Sequence, residues 1–289
     1  MIAAHWQRTL FVLASVGIMA VHALFDPSLP AQVLMLAPLV AILGLPHGAL
    51  DLPIAEALWP LRSWSRQAMF AALYLGLAGG VVAVWLLLPD FALLAFLAYS
   101  MLHFSDDWAE DPPALRWSGG LATVGSPALL HHAEVEAIFA MLAYGGAALA
   151  ADAVAFAGGV GLALLAVSIL TSPRARGPAA FELAVLWATA AALPPLMYFA
   201  VYFCGLHSVR HFSATMGAVP NARRALGSAV VLSVIVTLTA LLAMRHGMTG
   251  AIAETTEQGI RVIFIGLAAL TVPHMVLVDR FRRADTRSV

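Results

Sequence analysis

Near the end of a long apolar stretch the chain reads FCGLHSVRHF over residues 203–212. On a helix, His207 and His211 lie four residues apart, so their rings project from one face about one turn apart. Arg210 lies on a neighbouring face of the same turn. Imidazole binds iron, zinc, copper and nickel, but two ligands do not complete a site. The segment therefore predicts part of a metal site, with paired interior histidines as the alternative.

The composition is that of an integral membrane protein. Of the 289 residues, 62% are hydrophobic and 11% are charged, which is far from the balance of a soluble domain. Apolar runs of about 20 residues recur, the length that a helix needs to cross a bilayer. The short alternating segments of a transmembrane β-barrel are absent from the sequence. We expect an all-α, polytopic helical bundle that forms a single membrane domain over residues 1–289.

The apolar runs predict about eight to ten spans, with ten as the best estimate. The first is expected to be a retained span rather than a signal peptide. The fifth is interrupted by Gly125-Ser126-Pro127 and is expected to be partly re-entrant or interfacial. Pro194-Pro195 separates the seventh from the eighth. The predicted spans are 8–25, 31–50, 67–88, 90–105, 117–143, 146–171, 179–193, 195–217, 225–245 and 258–279.

All fifteen basic residues are arginine. A chain without lysine cannot form a lysine Schiff base, which excludes a retinal-binding opsin. With the N terminus inside, most arginines fall on the cytoplasmic side, so both termini are predicted to be cytoplasmic. The single cysteine, Cys204, excludes an internal disulfide and is expected to be a small buried residue.

Two further spans end in a histidine near carboxylates. The second ends GLPHGALD (44–51), where a proline and a glycine should distort the helix around His47 and Asp51 can accept a hydrogen bond from its ring. The fourth ends YSMLHFSDDW (99–108), where Asp106 and Asp107 are placed to serve His103 in the same way.

In the predicted topology the second, fourth and eighth spans run in the same direction. The four histidines therefore lie in the cytoplasmic half of the membrane at similar depth, as one shared site requires. The alternative is that each histidine pairs separately with a nearby group. Four imidazoles fit iron(II), zinc or copper, and spacing does not choose among them.

Other polar and aromatic residues are weaker candidates. His131 and His132 precede two glutamates and are expected to form an interfacial structure. His274 follows a proline in the last span and is a candidate contact to a ligand or substrate, or a structural residue. Glu182 is expected to bond a ligand histidine, Arg210 or a local structural partner. Aromatic residues near the histidines are candidates for the wall of an apolar tunnel, or for simple packing: Phe104, Trp108, Tyr198, Phe199, Tyr202, Phe203 and Phe212.

These motifs resemble the Brp/Blh family of membrane β-carotene 15,15'-dioxygenases. The resemblance rests on PHGALD (46–51), on HFSDD (103–107) and on HSVRH (207–211), in that order. Pro273-His274 is similar to the family as well, and the hydropathy pattern agrees over most of the chain. Each motif is weak alone, and the three together are specific.

The resemblance implies a function and a site. It implies that His47, His103, His207 and His211 bind Fe(2+) and that the enzyme cleaves the central double bond of β-carotene with O2 into two retinal molecules. Asp51 and Arg210 match motif positions and are expected to support the ligands. The partners expected are β-carotene from the bilayer, O2 and membrane lipid, with no nucleic acid. A bacterial inner membrane, crossed several times, is the expected location.

Three alternatives differ in their requirements. A di-iron membrane hydroxylase of lipid substrates needs about eight histidines in several clusters. A divalent-metal transporter should have metal-binding residues at several depths across the membrane, and inverted sequence repeats. A structural or assembly protein predicts histidines without a common centre. The clustering of the candidates at one depth favours the dioxygenase.

Overall fold

A computed structural model describes residues 2–44, 50–59, 61, 63–218, 222–247 and 252–285. In these ranges the chain is helical and contains no strand. Among the residues that the structure describes, five helices are long and apolar enough to cross a membrane, and two shorter apolar helices are also present, Leu29–Gly44 and Pro178–Ala192. The structure thus confirms an all-α membrane protein. The chain divides into two compact units, and the single membrane domain stays a prediction.

Unit one comprises Met1–Leu36 and Pro89–His207. Prolines begin several of its helices, since the first helical position does not need an N–H donor. A short 3-10 turn, Ser105–Trp108, follows the helix that ends at Phe104, and another, Pro173–Ala175, follows the helix that ends at Thr171. Its helices are α1 (Ile2–Phe25), α5 (Pro89–Phe104), α6 (Pro113–Leu130), α7 (His132–Leu142), α8 (Ala147–Thr171), α9 (Pro178–Ala192) and α10 (Pro195–Tyr202), which continues as a π-helix over Phe203–His207.

Unit two comprises Ala37–Leu88 and Ser208–Val289. One of its cores joins Leu50 to Ala225 and Ala229, with Phe212 packed against them. A second core surrounds Ile54. The helices of this unit are α3 (Asp51–Leu58), α4 (Trp64–Leu87), α11 (Ser208–Ala218), α12 (Ala222–Gly247) and α13 (Ile252–Asp285), and the helix α2 (Leu29–Leu39) leads into it through a π-helix at Val40–Gly44.

Large apolar side chains on several long helices are exposed. Leu73 and Leu87 of α4 are 69% and 78% exposed, and Phe156 of α8 is 75% exposed. A soluble protein rarely leaves such continuous apolar surface facing water. These outer surfaces are suited to contact with lipid.

Glycines allow α6 and α8 to pack closely. A methyl group on Gly158 would overlap the backbone of Gly125, and Ser118 Oγ donates a 2.8 Å hydrogen bond to the carbonyl of Gly161. Small residues at a helix contact are typical of membrane proteins, because close backbones gain dispersion energy there. This contact fixes α6, which in turn packs on α5 and on the 3-10 turn after it.

The predicted interruption at Gly125-Ser126-Pro127 is wrong. The helix α6 continues through Pro127 to Leu130, and the chain breaks at His131. Proline has no N–H for the carbonyl of Thr123, four residues earlier. The hydroxyl of Tyr198 lies 3.2 Å from that carbonyl oxygen and can donate to it, while Ser126 Oγ lies 3.1 Å from the same hydroxyl. A side chain from α10 therefore compensates for the proline.

Candidate metal centre

The segment that carries His207 is not a regular α-helix. Residues 203–207 form a π-helix between α10 and α11. Wide turns of this kind occur often at functional sites, because they change the direction in which a side chain leaves the helix. The side chain of His207 is buried, at 2% exposure. The sequence did not predict the π-helix.

His103, at the end of α5, meets His207 inside unit one. The two Nε2 atoms lie 3.2 Å apart, and the ring planes are inclined by 75° with centroids 4.8 Å apart. Both histidines are buried. The structure thus brings together two of the four predicted ligands, which are separated by 104 positions in the chain.

Asp107 holds the opposite side of the His207 ring. Both of its carboxylate oxygens lie 3.2 Å from Nδ1 of His207. The hydroxyl of Tyr202 donates a 2.6 Å hydrogen bond to Oδ2 of the same carboxylate. Because a carboxylate only accepts, the proton of the neutral His207 ring resides on Nδ1, and Nε2 presents a lone pair on the side of His103.

The geometry of this pair fits a metal ion. Two nitrogens 3.2 Å apart and each about 2.1 Å from an ion would subtend about 100°, between octahedral and tetrahedral values. A carboxylate behind a ligand histidine is the usual supporting arrangement at metal sites. Within the part of the chain that the structure describes, no group of three or more His, Cys, Asp or Glu side chains could hold a metal ion. A metal site that included His103 and His207 would therefore need further ligands, and the predicted ligand His47 lies outside the described residues.

Aromatic rings enclose His207. Phe104 contacts it edge-on at a centroid distance of 4.9 Å, and Phe203 stacks on it at 5.8 Å. Tyr202 lies 6.2 Å away and packs edge-on against Phe104. Phe199 stacks on Phe203 in turn. Three of the predicted substrate-lining residues thus surround His207, where apolar rings exclude water from its imidazole.

Trp108 and Glu182 form a different buried contact. Trp108 is 1% exposed, and its indole N–H donates a 3.2 Å hydrogen bond to Oε2 of Glu182. The other carboxylate oxygen pairs with Arg8 Nε at 2.9 Å. A methyl group on Gly119 would overlap the Trp108 ring. These contacts anchor the 3-10 turn of Asp107 to α1, α6 and α9, and Arg8 was not among the partners predicted for Glu182.

The carboxylates after His103 have further partners that the sequence did not predict. Asp107 contacts Nδ1 of His207. Asp106 accepts a 2.8 Å hydrogen bond from Nη2 of Arg116, which lies at the start of α6.

His131 and His132 contact their own surroundings in unit one. Nε2 of His131 lies 2.8 Å from the carbonyl oxygen of Ala190. Nε2 of His132 lies 2.9 Å from Asp152 Oδ1, and its side chain is 40% exposed. These contacts favour the predicted structural role over a ligand role.

Unit two holds the remaining described candidates. His274 Nδ1 lies 2.6 Å from Asp51 Oδ1, and the hydroxyl of Tyr74 donates a 2.8 Å bond to the other oxygen of that carboxylate. His211 contacts the ring of His274. Arg210 is half-buried on α11. Tyr74 was missed by the sequence analysis, although a lone hydroxyl within an apolar span is a usable signal for a buried polar partner.

Comparisons with known proteins agree with these motifs. The family model described as "Beta-carotene 15,15'-dioxygenase" matches residues 38–282. A protein of that name from uncultured marine bacterium 66A03 is 36% identical over 254 residues, covering 83% of this chain and 90% of the relative. "Probable beta-carotene 15,15'-dioxygenase Blh" from Halobacterium salinarum is 28% identical over 293 residues, covering 86% and 85%. No solved structure matches. With buried histidines on the family motifs and a match over most of its length, the chain belongs to the beta-carotene 15,15'-dioxygenase family.

Proposed function

We propose that this chain is an iron(II)-dependent oxygenase of the bilayer. It cleaves the central 15,15' double bond of β-carotene with O2 and gives two molecules of retinal, in accord with the named relatives. The observation that carries the metal assignment is the pair of Nε2 atoms of His103 and His207, 3.2 Å apart, with Asp107 behind one of them. His47 and His211 complete the proposed ligand set because they occupy the matching motif positions.

When bound, iron(II) supplies the means of activating O2, which in its triplet ground state reacts only slowly with a closed-shell conjugated polyene. The chain's own residues orient the ring of His207 and keep water away from it. Asp107 and Tyr202 keep the proton of His207 on Nδ1 and hold the ring still. Phe104 and Phe203 limit the access of water to that ring. Both atoms of O2 end in the two aldehydes, so the balanced reaction requires no protein acid or base.

The substrate offers nothing for a polar side chain to bond. β-Carotene is a hydrocarbon, so the protein positions it by shape and by apolar contact rather than by hydrogen bonds. The rings of Phe104, Tyr202 and Phe203 beside His207 are suited to contact a polyene near the metal. Entry from the bilayer follows from the solubility of the substrate in lipid. Trp108 and His274, both buried, are further candidates for the lining of the substrate cavity.

We further propose the placement in the membrane. Arginines cluster at those ends of the predicted spans that would face the cytoplasm, so both termini are cytoplasmic and the number of spans is even. The structure describes five long apolar helices and two shorter ones. The proposed total of about ten spans also counts helical segments that are too short or too interrupted to be among these seven. The inner membrane of a bacterium is the proposed location.

Expression in a carotene-producing bacterium tests the activity. The wild-type chain should bleach the orange colour and yield retinal by chromatography. His103→Ala and His207→Ala should abolish retinal while the protein remains in the membrane, and His132→Ala serves as the matched control outside the site. Iron analysis separates the alternatives, because about one iron per chain supports the dioxygenase and two support a hydroxylase. Longer aldehydes in place of retinal would contradict cleavage at the central bond.

A further inference from the structure

Unit two contains a second pair of histidine rings in contact, of which His274 is buried and His211 is half-buried. His211 and His274 lie with centroids 4.7 Å apart and planes inclined by 61°. The corresponding values for His103 and His207 in unit one are 4.8 Å and 75°. His274 is 2% exposed. Each unit, described by itself, thus holds two imidazoles in edge-to-face contact at nearly the same distance.

In each pair, one histidine contacts a carboxylate that also binds a tyrosine hydroxyl. In unit two, one carboxylate oxygen of Asp51 contacts Nδ1 of His274, and the other accepts a hydrogen bond from the hydroxyl of Tyr74. In unit one, Asp107 contacts Nδ1 of His207 and accepts a hydrogen bond from the hydroxyl of Tyr202. In unit two this Tyr–Asp–His set comes from three helices, α4, α3 and α13. In unit one Asp107 lies in the 3-10 turn after α5, and Tyr202 and His207 lie on α10 and the π-helix that continues it.

The chemical consequence is the same in both units. A carboxylate that accepts from Nδ1 places the proton of a neutral ring there, and the metal-binding lone pair is then on Nε2. A purely structural ion pair would require only Asp51 and His274. The second imidazole and the tyrosine add half-buried polar groups. Removing such groups from water costs free energy in a membrane protein, which favours a functional site.

We propose that His274 is itself a metal-ligating residue, paired with His211 and oriented by Asp51 and Tyr74. This inference rests on the proposed function, because it takes His211 as a proposed metal ligand and adds His274 beside it. It assigns His274 a direct role, and it makes Asp51 and Tyr74 positioning residues for His274. The sequence motifs alone indicated His274 only as a neighbour of the site.

The test is metal binding by the full-length protein in detergent. Metal is removed with a chelator, and cobalt(II) alone is titrated as a spectroscopic probe while the visible absorption is followed. His274→Asn keeps an N–H donor for Asp51 but lacks the nitrogen that would bind the metal. Loss of a supporting carboxylate typically weakens binding about 10- to 100-fold. We expect His274→Asn to weaken cobalt binding by more than about 100-fold and to alter the spectrum, and Asp51→Asn to weaken it by about 10- to 100-fold.

The controls separate a ligand role from a structural one. His132→Ala should bind cobalt as the wild type does. If His274→Asn binds cobalt with wild-type affinity and spectrum, His274 is a structural partner of Asp51 and the inference is overturned. Should that variant not fold, Tyr74→Phe reports on the same network, and an unchanged spectrum overturns the inference equally. A wild-type chain that neither binds metal nor forms retinal removes the proposed function as a whole, which is a different result.

Discussion

Asp107 faces Nδ1 of His207 with both carboxylate oxygens, each at 3.2 Å. The two residues are 100 positions apart in the sequence, so only the tertiary fold creates this contact. Asp107→Asn replaces a pure acceptor by an amide that can donate. We expect the affinity for iron to fall by about 10- to 100-fold, because the ring loses its fixed tautomer.

Equilibrium binding of iron(II) under anaerobic conditions measures this loss for Asp107→Asn. Retinal formation should recover in part when excess iron is supplied, since the variant still has its ligand nitrogens. Glu136→Gln is a suitable control because that carboxylate is 44% exposed and lies 3.9 Å from His132. Unchanged iron affinity in Asp107→Asn would show that the carboxylate does not support the metal site.

The hydroxyl of Tyr202 stabilises the same carboxylate. It donates a 2.6 Å hydrogen bond to Asp107, and the tyrosine is 1% exposed. Tyr202→Phe keeps the ring against Phe104 and removes only the donor. Hydrogen bonds to charged groups contribute about 1.5–3 kcal/mol to stability, so we expect a lower melting temperature. The loss of iron affinity should be smaller than in Asp107→Asn, because the carboxylate still accepts from Nδ1 of His207. If the two variants were equal in iron affinity, the hydroxyl would matter as much as the carboxylate itself.

Adjacent glycines in α8 provide a test of the close helix contact. A methyl group on Gly158 would meet the backbone of Gly125, whereas nothing lies within 4 Å of the methyl position on Gly159. Gly158→Ala should destabilise the protein by about 1–3 kcal/mol through overpacking. Gly159→Ala should leave stability unchanged or raise it by up to about 1 kcal/mol, because alanine favours the helix.

Thermal unfolding in detergent compares the Gly158→Ala and Gly159→Ala proteins directly. Equal melting temperatures would show that α6 and α8 separate easily at this point. Since both substitutions add the same methyl group to neighbouring positions of one helix, helix propensity cancels in the comparison.

Tyr198 supports the proline inside α6. Its hydroxyl lies 3.2 Å from the carbonyl of Thr123, which Pro127 leaves without its usual donor. Tyr198→Phe should cost about 1–3 kcal/mol, because a buried carbonyl then lacks a partner. Replacing Pro127 by alanine as well should restore part of the loss, since alanine supplies the N–H. The double variant fails this expectation if it melts at the temperature of Tyr198→Phe or below.

Helix boundaries were predicted well where a proline or the end of a long apolar run marks them in the sequence. Pro89, Pro178 and Pro195 begin helices close to the predicted starts, and the long runs ending near Phe25 and Thr171 end where the sequence indicated. Proline at the first helical turn acts locally, so it can be read from the sequence alone.

The parts that sequence analysis missed depend on distant residues. Pro127 indicated an interruption, and the hydroxyl that prevents one comes from Tyr198, 75 positions from the carbonyl it contacts. The π-helix at Phe203–His207 lies in an apolar run whose side chains resemble those of any buried helix. Local spacing identified His103 and His207 as candidates. It could not reveal that Asp107 contacts His207, because that contact joins the 3-10 turn after α5 to the π-helix after α10, 100 positions apart in the sequence.

The apolar outer surfaces of α4 and α8 are suited to lipid, so the enzyme and its hydrocarbon substrate share the bilayer as their solvent. A hydrocarbon such as β-carotene partitions into lipid or detergent together with the protein. The rate should therefore follow the number of carotene molecules per lipid rather than the number per litre. Diluting a vesicle suspension with buffer should leave turnover unchanged, whereas fusing the vesicles with carotene-free lipid should slow it.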